Sequence, residues 1–199
     1  MKRGRLVVIS GPSGAGKSSI CQRLLEMPEL NAQLSVSATT RSPRPGEIDG
    51  VHYRFITPEE FDTLEESGGL LESAEVFADR YGTPQEGVDE ALINGKTVLL
   101  DIDVQGARTL REKGIEGLYY FIAPPSLETL EKRLRDRKTE GPMSLSRRLA
   151  AVKIEMSAQD EYDHTFVNDD LERVSGEIRA AILAFKPSER GDPEQGEVP

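Results

Sequence analysis

The hydrophobic pattern of this chain alternates between short apolar runs and longer segments with helical spacing. Several runs are apolar on both faces, as are strands buried in a parallel sheet. The predicted strands are Leu6–Ile9, Leu34–Ala38, Thr97–Ile102, Leu118–Ile122 and Thr165–Val167. A last packed helix is predicted from the spacing of Leu171, Val174, Ile178, Ile182 and Phe185. Alternating strands and helices predict an α/β protein, a three-layer α/β/α sandwich around a parallel central sheet.

Two of the predicted helices have recognisable ends. Thr57-Pro58-Glu59-Glu60 has the form of a capping box with proline at the first helical position, and Thr83-Pro84-Gln85-Glu86 repeats that form. The glycines in Gly68-Gly69 and Asn94-Gly95 are expected to end these helices.

Two regions interrupt the alternation. Residues 35–94 contain a polar loop and two short strand-like pieces, Tyr53-Arg54-Phe55 and Leu70–Phe77, which predict a small mixed-β insert. Residues 126–158 have a helical pattern rich in arginine and predict a hinged helical flap. The tail at 186–199 is rich in proline and charge and is expected to be disordered.

Composition narrows the class of function. The 199 residues carry a net charge of −10, which argues against nucleic acid as the main partner. No apolar run approaches the ~20 residues of a membrane helix, and the basic N-terminus precedes only a short apolar run, so we expect no membrane segment and no signal peptide. The single cysteine, Cys21, cannot form an internal disulfide and is predicted to be buried. We therefore expect a cytoplasmic protein.

The positive charges are unevenly distributed. Residues 132–148 contain seven basic and two acidic residues, a net charge of +5 in an acidic chain. Such a segment either binds an anion or forms a solvated helix face. The two histidines, His52 and His164, lack metal-ligand spacing, and His52 is expected to be a loop residue.

The most specific motif is a phosphate loop. Residues 11–18 match G-x-x-x-x-G-K-[ST] completely, between an apolar run and a helical segment. Successive N–H groups of such a loop turn toward one point, and the following helix start adds a positive dipole end. Lys17 is expected to reach the terminal phosphates of a nucleoside triphosphate, and Ser18 to hold Mg²⁺. The predicted triphosphate-binding residues are Gly11, Pro12, Ser13, Gly14, Ala15, Gly16, Lys17 and Ser18.

A second candidate anion site follows in residues 37–55. Arg41 and Arg44 flank a Ser-Pro pair that stiffens the loop, so two guanidinium groups could clamp one phosphate from two sides. A hydroxyl from Tyr53 or Tyr81 would add an uncharged donor. On this segment alone, an ordinary surface loop with solvated arginines remains the alternative.

Taken together, these segments resemble guanylate kinase. The resemblance runs in order from about residue 5 to residue 185. It rests on the phosphate loop, on Thr-Thr-Arg-x-Pro-Arg-x-Gly-Glu-x-x-Gly-x-x-Tyr-x-Phe at 39–55, and on residues 99–106, 121–126 and 167–170. It implies a P-loop kinase of one domain, residues 1–185, that transfers the γ-phosphate of ATP to GMP. The implied parts are a core (1–34, 95–125 and 159–185), a GMP-binding insert (35–94) and a helical lid (126–158).

The resemblance also implies roles for single residues. Ser18, with Asp101 through water, would hold Mg²⁺, and Asn168 would contact adenine. The implied catalytic residues are Lys17, Arg133, Arg137 and Arg148. The implied GMP-binding residues are Ser37, Arg41, Arg44, Tyr53, Glu72, Tyr81, Thr83 and Asp103. One departure is Ser73, where the family often has tryptophan.

The chemistry of guanine supports the role implied for Glu72. Guanine presents two adjacent donors, N1–H and N2–H₂, and one carboxylate can accept from both. The resemblance implies ATP and GMP as partners, with dGMP as a second candidate acceptor, and both a monomer and a homodimer stay open.

Two alternatives stay open at this point. One is a guanylate-kinase-like binding module without catalysis, which the intact Lys17, Ser18 and Asp101 disfavour. The other is a related kinase acting on a different phosphorylated acceptor, which Glu72 together with Ser37 and Thr83 disfavours.

Overall fold

Two sheets and the helices around them form the fold. The computed structural model describes residues 3–76, 78–136 and 142–185, apart from the side chains of 136 and 142–148. In chain order the strands and helices are β1 (Arg5–Ser10), α1 (Lys17–Leu25), β2 (Ala32–Leu34), β3 (Ala38–Thr39), β4 (Arg54–Phe55), α2 (Pro58–Glu66), β5 (Leu70–Val76), β6 (Asp79–Pro84), α3 (Gln85–Ile93), β7 (Thr97–Asp101), α4 (Val104–Glu112), β8 (Leu118–Ala123), α5 (Leu127–Asp136), α6 (Pro142–Met156), β9 (His164–Val167) and α7 (Leu171–Ala184).

The central sheet is parallel and buried on both faces. Its five strands lie in the order β2-β7-β1-β8-β9, and every neighbouring pair is parallel. Alternate residues of β1 point to opposite faces, so Val7 and Ile9 pack with α1 and α7, whereas Leu6 and Val8 pack with α3 and α4. The predicted three-layer α/β/α sandwich is therefore confirmed.

The carboxyl ends of these strands bring polar residues together at one edge of the sheet. β1 leads into the phosphate loop, β7 ends at Asp101, and β9 is followed by Asn168. Ligands of open α/β sheets bind outside this edge. The sheet thus positions residues from distant parts of the sequence around one crevice.

A second, mixed sheet lies within residues 38–84. Its order is β4-β3-β6-β5, with β3 and β4 parallel and the other pairs antiparallel. Helix α2 covers it with Phe61, which is fully buried. The predicted mixed-β insert is therefore present.

The prediction of one strand over Leu34–Ala38 is wrong. β2 ends at Leu34 and pairs with β7, and the N–H of Ser35 still donates to the Leu99 carbonyl at 2.9 Å. β3 begins at Ala38 in the other sheet. The alternating apolar pattern of residues 34–38 shows no break because a strand lies at each of its ends. Residues 35–37, however, lead the chain from the central sheet to the mixed sheet.

The prediction of a second capping box at Thr83-Pro84-Gln85-Glu86 is also wrong, because this segment begins in strand β6, which was not predicted. Thr83 lies in β6 opposite Glu72 of β5, and its hydroxyl donates to Glu72 Oε1 at 2.6 Å. Pro84, the next residue, is the N-cap of α3. The local sequence predicted that the Thr83 hydroxyl would cap α3, but this hydroxyl bonds to Glu72 on the neighbouring strand instead.

Most other local predictions are confirmed. Thr57 and Glu60 form both bonds of the capping box on α2, and Gly68 and Gly95 follow their helices with φ of +70° and +73°. Cys21 is buried against α7 and the sheet. Both α5 and α6 are helical, as expected for the flap. Part of its linker and the tail at 186–199 lie outside the described residues.

Across the described ranges, every helix is too short or too polar to span a bilayer.

Replacing the cap of α2 tests how much it stabilises the mixed sheet. Thr57→Ala removes the acceptor for the N–H of Glu60, and we expect the free energy of unfolding to fall by about 1 kcal/mol. Urea unfolding followed by circular dichroism measures this. Thr63→Ala is the control, because the exposed Thr63 hydroxyl bonds only to the Glu59 carbonyl one turn back in the same helix. Equal midpoints for the two variants would contradict the prediction.

Candidate functional site

The phosphate loop is fixed by contacts with the ends of β8 and β9. Gly11 and Gly16 have φ of +135° and +95°, a region that side chains disfavour. A Cβ on Gly11 would lie 2.4 Å from the Ile122 carbonyl oxygen, and one on Gly16 would lie 2.2 Å from Asn168 Nδ2. The positive φ and a close neighbour, a backbone carbonyl at Gly11 and a buried side-chain amide at Gly16, therefore require glycine at both positions.

Lys17 folds over this loop. Its Nζ donates to the Gly11 carbonyl at 2.8 Å and to the Pro12 carbonyl at 3.4 Å. These bonds hold a positive charge beside the loop and at the start of α1, where the helix dipole is also positive. The arrangement suits a polyphosphate.

Ser18 and Asp101 meet across the crevice. The Ser18 hydroxyl donates to Asp101 Oδ2 at 2.6 Å, joining the first turn of α1 to the end of β7. A hydroxyl and a carboxylate oxygen are ligands that suit Mg²⁺, which usually keeps several waters and phosphate oxygens as its other ligands. The described residues contain no cluster of three or more His, Cys, Asp or Glu arranged for a metal.

Asn168 and Arg133 hold the phosphate loop through hydrogen bonds to backbone carbonyls. Asn168 is buried, and its side-chain amide donates to the Ala15 carbonyl at 2.7 Å. Arg133 of α5 donates to the carbonyls of Asn168 at 3.2 Å and Ala15 at 3.4 Å. The structure thus brings Arg133 to the phosphate loop. Of the other two predicted arginines, Arg137 lies outside the described residues and Arg148 lies on α6 with its side chain outside the described part.

Arg41 is held by a carboxylate that the sequence analysis gave no role. Its guanidinium donates to both oxygens of Glu47, at 2.9 and 3.0 Å, and its Nε donates to the Tyr81 hydroxyl at 3.1 Å. The backbone N–H of Arg44 donates to the same carboxylate at 2.6 Å. The Arg41 bond lowers the pKa of Glu47 against the opposing effect of burial. In the sequence, the sign of this role is the position of Glu47, three residues after Arg44 and within the motif at 39–55.

Tyr53 lies beside Arg41 and is influenced by the charge of Asp101. Its ring lies 5.8 Å from that of Tyr81 and 5.4 Å from the Arg41 guanidinium. Burial, and then the charge of Asp101, raise the pKa of Tyr53 to about 12. Tyr53 therefore lies within electrostatic range of the carboxylate that Ser18 contacts.

Glu72 is a buried carboxylate on strand β5 of the mixed sheet. It is 3% exposed and accepts the hydroxyl of Thr83. Burial raises the pKa of Glu72 to about 7, the Thr83 bond opposes this, and the charge of Asp103 adds to it. Such a carboxylate needs further donors to be stable as an anion.

Asp103 lies two residues after the end of β7, at the start of α4. It caps α4 by accepting from the N–H of Gly106 at 2.8 Å. Burial raises the pKa of Asp103, while the Gly106 bond and the charge of Lys17 lower it. Its charge therefore interacts both with Lys17 of the phosphate loop and with Glu72 of the mixed sheet.

Ser37 lies beside the mixed sheet, and Gly106 lies beside Glu72. Ser37, half-buried between β2 and β3, accepts from the N–H of Arg54 through its carbonyl at 2.9 Å. Gly106, which the sequence analysis did not single out, lies directly against the carboxylate of Glu72. This contact joins two elements far apart in the chain, so spacing along the sequence carries no signal of it.

Comparisons with known proteins agree with this geometry. The chain matches the family described as Guanylate kinase over residues 3–184. It is 52% identical over 182 residues to a guanylate kinase of Streptomyces kasugaensis, covering 91% of this chain and 88% of that protein. It is 51% identical over 175 residues to one of Synechococcus sp. (strain CC9311), covering 87% and 91%. The crystal structure of guanylate kinase from Anaplasma phagocytophilum superimposes with a TM-score of 0.77 at 35% identity, covering 92% of this chain and 86% of that one. The chain belongs to the guanylate kinase family.

Proposed function

We propose that the two halves of this crevice carry out the guanylate kinase reaction, the transfer of the γ-phosphoryl group of ATP to GMP to give ADP and GDP. The phosphate loop holds the donor, and the mixed sheet with the Arg41 loop holds the acceptor. The observation that carries this assignment is Glu72, a carboxylate buried to 3% exposure at the base of the acceptor side.

On the donor side, the loop amides and Lys17 hold the β- and γ-phosphates. Ser18 and Asp101, already in contact, are the residues that would hold Mg²⁺. When bound, Mg²⁺ neutralises charge on the phosphate oxygens. Arg133, which donates to the Ala15 carbonyl of the loop, is proposed to stabilise the transferring group together with Arg137 and Arg148. Asn168 supports the loop and is proposed to face the adenine side.

On the acceptor side, Arg41, Arg44, Tyr53 and Tyr81 hold the GMP phosphate. The bidentate bond from Glu47 fixes the plane of the Arg41 guanidinium, and Tyr81 fixes its Nε. The phosphate then meets a cation that is already oriented, which lowers the entropic cost of binding.

The base is recognised by Glu72 with Thr83, Ser37 and Asp103 around it. The carboxylate accepts from N1–H and N2–H₂ of guanine. Adenine presents an unprotonated N1, which would leave the buried carboxylate without the two donors that guanine supplies, and mismatches of this kind give discrimination on the order of 10⁴. The division into a core, a GMP-binding insert at 35–94 and a lid at 126–158, and the use of dGMP, belong to the same proposal.

Base selection tests the assignment directly. With ATP and Mg²⁺ in a coupled assay, we expect kcat/KM for GMP to exceed that for AMP by on the order of 10⁴. Glu72→Ala should remove most of this preference, whereas Glu75→Ala, an exposed position on the same strand, should leave it unchanged. Comparable turnover of AMP by the wild-type enzyme would refute the role of Glu72.

The two arginines of α5 provide a matched pair. Arg133 contacts the phosphate loop, while Arg135 is exposed and pairs with Glu131 on its own helix. We expect Arg133→Ala to lower kcat by about 10³ and Arg135→Ala to leave kcat unchanged. ATP binding to each variant, measured without GMP, separates loss of transition-state stabilisation from loss of the loop. Equal kcat values would remove Arg133 from the reaction.

The raised pKa of Glu72 predicts a proton released on GMP binding. A carboxyl group with a pKa near 7 is partly protonated in the free protein at neutral pH, and only the anion accepts both guanine donors. Affinity for GMP should therefore fall as the pH is lowered through 7. Calorimetry in two buffers of different ionisation enthalpy measures the protons released. Glu72→Gln is the control for protons lost by the GMP phosphate, and equal release by both proteins would contradict the prediction.

A further inference from the structure

We propose that Gly106 is a positioning residue for guanine selection, because its lack of a side chain lets the carboxylate of Glu72 rest against the first turn of α4. This inference rests on the proposed role of Glu72 as the acceptor for guanine. Gly106 itself contacts neither substrate in this proposal; it acts through Glu72.

The contact leaves no space for a methyl group. A Cβ on Gly106 would lie 2.5 Å from Glu72 Oε2 and 3.0 Å from its Cδ. Glu72 is almost completely buried, and its other oxygen is held by Thr83 at 2.6 Å. The carboxylate therefore cannot move away from a new methyl group and also keep its present bond.

Helix α4 is also restrained. At its start, its N-cap residue Asp103 accepts from the N–H of Gly106 at 2.8 Å, which fixes the conformation of the first turn. At its end, Lys113 Nζ donates to the Leu71 carbonyl at 2.8 Å, on the residue before Glu72. Ala107 and Leu110 pack in the same apolar cluster as Leu71. The packing of α4 and the bond at its C-terminal end thus hold the helix against the strand that carries Glu72.

A methyl group at Gly106 therefore displaces the carboxylate. Guanine recognition depends on the position and plane of its two oxygens, and small misplacements of a positioned group cost on the order of 10²-fold. The phosphate loop is built from other elements, so donor binding is not affected. Helix propensity acts the other way, since alanine is the better helix former.

Gly106→Ala tests this against a matched control. Gly176→Ala places the same change in the middle of α7, where an added Cβ meets no described atom within 4 Å. We expect Gly106→Ala to raise KM for GMP, and Kd for GMP measured without ATP, by about 10- to 100-fold. KM for ATP should stay within about twofold, and the GMP-over-AMP ratio of kcat/KM should fall. Gly176→Ala should change none of these. Unchanged GMP binding in Gly106→Ala, or an equal rise in KM for ATP, overturns the proposal.

A double-mutant cycle with Glu72→Asp shows whether Gly106 acts through Glu72. Aspartate is one methylene shorter, which withdraws the carboxylate from the new methyl group. Gly106→Ala should then weaken GMP binding far less in the Glu72→Asp background than in the wild type. The same fold-loss in both backgrounds overturns the proposal.

The cycle also covers a variant that does not fold. If Gly106→Ala alone is unfolded, the proposal requires the double variant to regain a cooperative thermal transition, and its failure to do so counts against the proposal. Failure of the proposed function is distinguishable, because Glu72→Ala would then leave the GMP-over-AMP ratio unchanged whatever Gly106→Ala does.

Discussion

A carboxylate buried between two sheets is the constraint on which the acceptor side of this protein depends. Glu72 lies on the mixed sheet but rests against α4, which packs on the central sheet. An isolated buried charge is costly, so its neighbours must either supply donors or shift its protonation. Thr83 supplies one donor, and burial shifts the pKa upward. Under the proposed function, a base with two adjacent donors supplies what remains.

The electrostatics of the crevice connect its two halves. Asp103 interacts with Lys17 on one side and with Glu72 on the other, and Tyr53 interacts with Asp101. These charges lie near the carboxyl edge of a parallel sheet, where strands distant in sequence end side by side. Under the proposed function, the groups that bind the two substrates therefore interact electrostatically before either substrate is bound.

The sequence predicted well wherever the signal was local. The parallel sheet, the phosphate loop and the cap at Thr57 follow from adjacent residues, and each has the expected structure. Prediction failed where a partner on another element decided the outcome: Thr83 bonds across the sheet to Glu72 instead of capping α3. Gly106 was overlooked for the same physical reason, because its importance lies in its contact with Glu72. Glu47 lies in the same loop as Arg41, and its role depends on how that loop folds. The sequence offers at best a weak trace of these contacts.

The carboxylate of Glu47 has a consequence for which anions the Arg41 loop admits. It is tethered six residues from Arg41 and already occupies two of the guanidinium donors. A free phosphate ion must compete with this internal anion, whose effective concentration is high because it is part of the same chain. Under the proposed function, a nucleotide gains additional affinity from its base and can overcome that competition. The loop would then resist occupation by the many small anions of its surroundings and admit those attached to a purine.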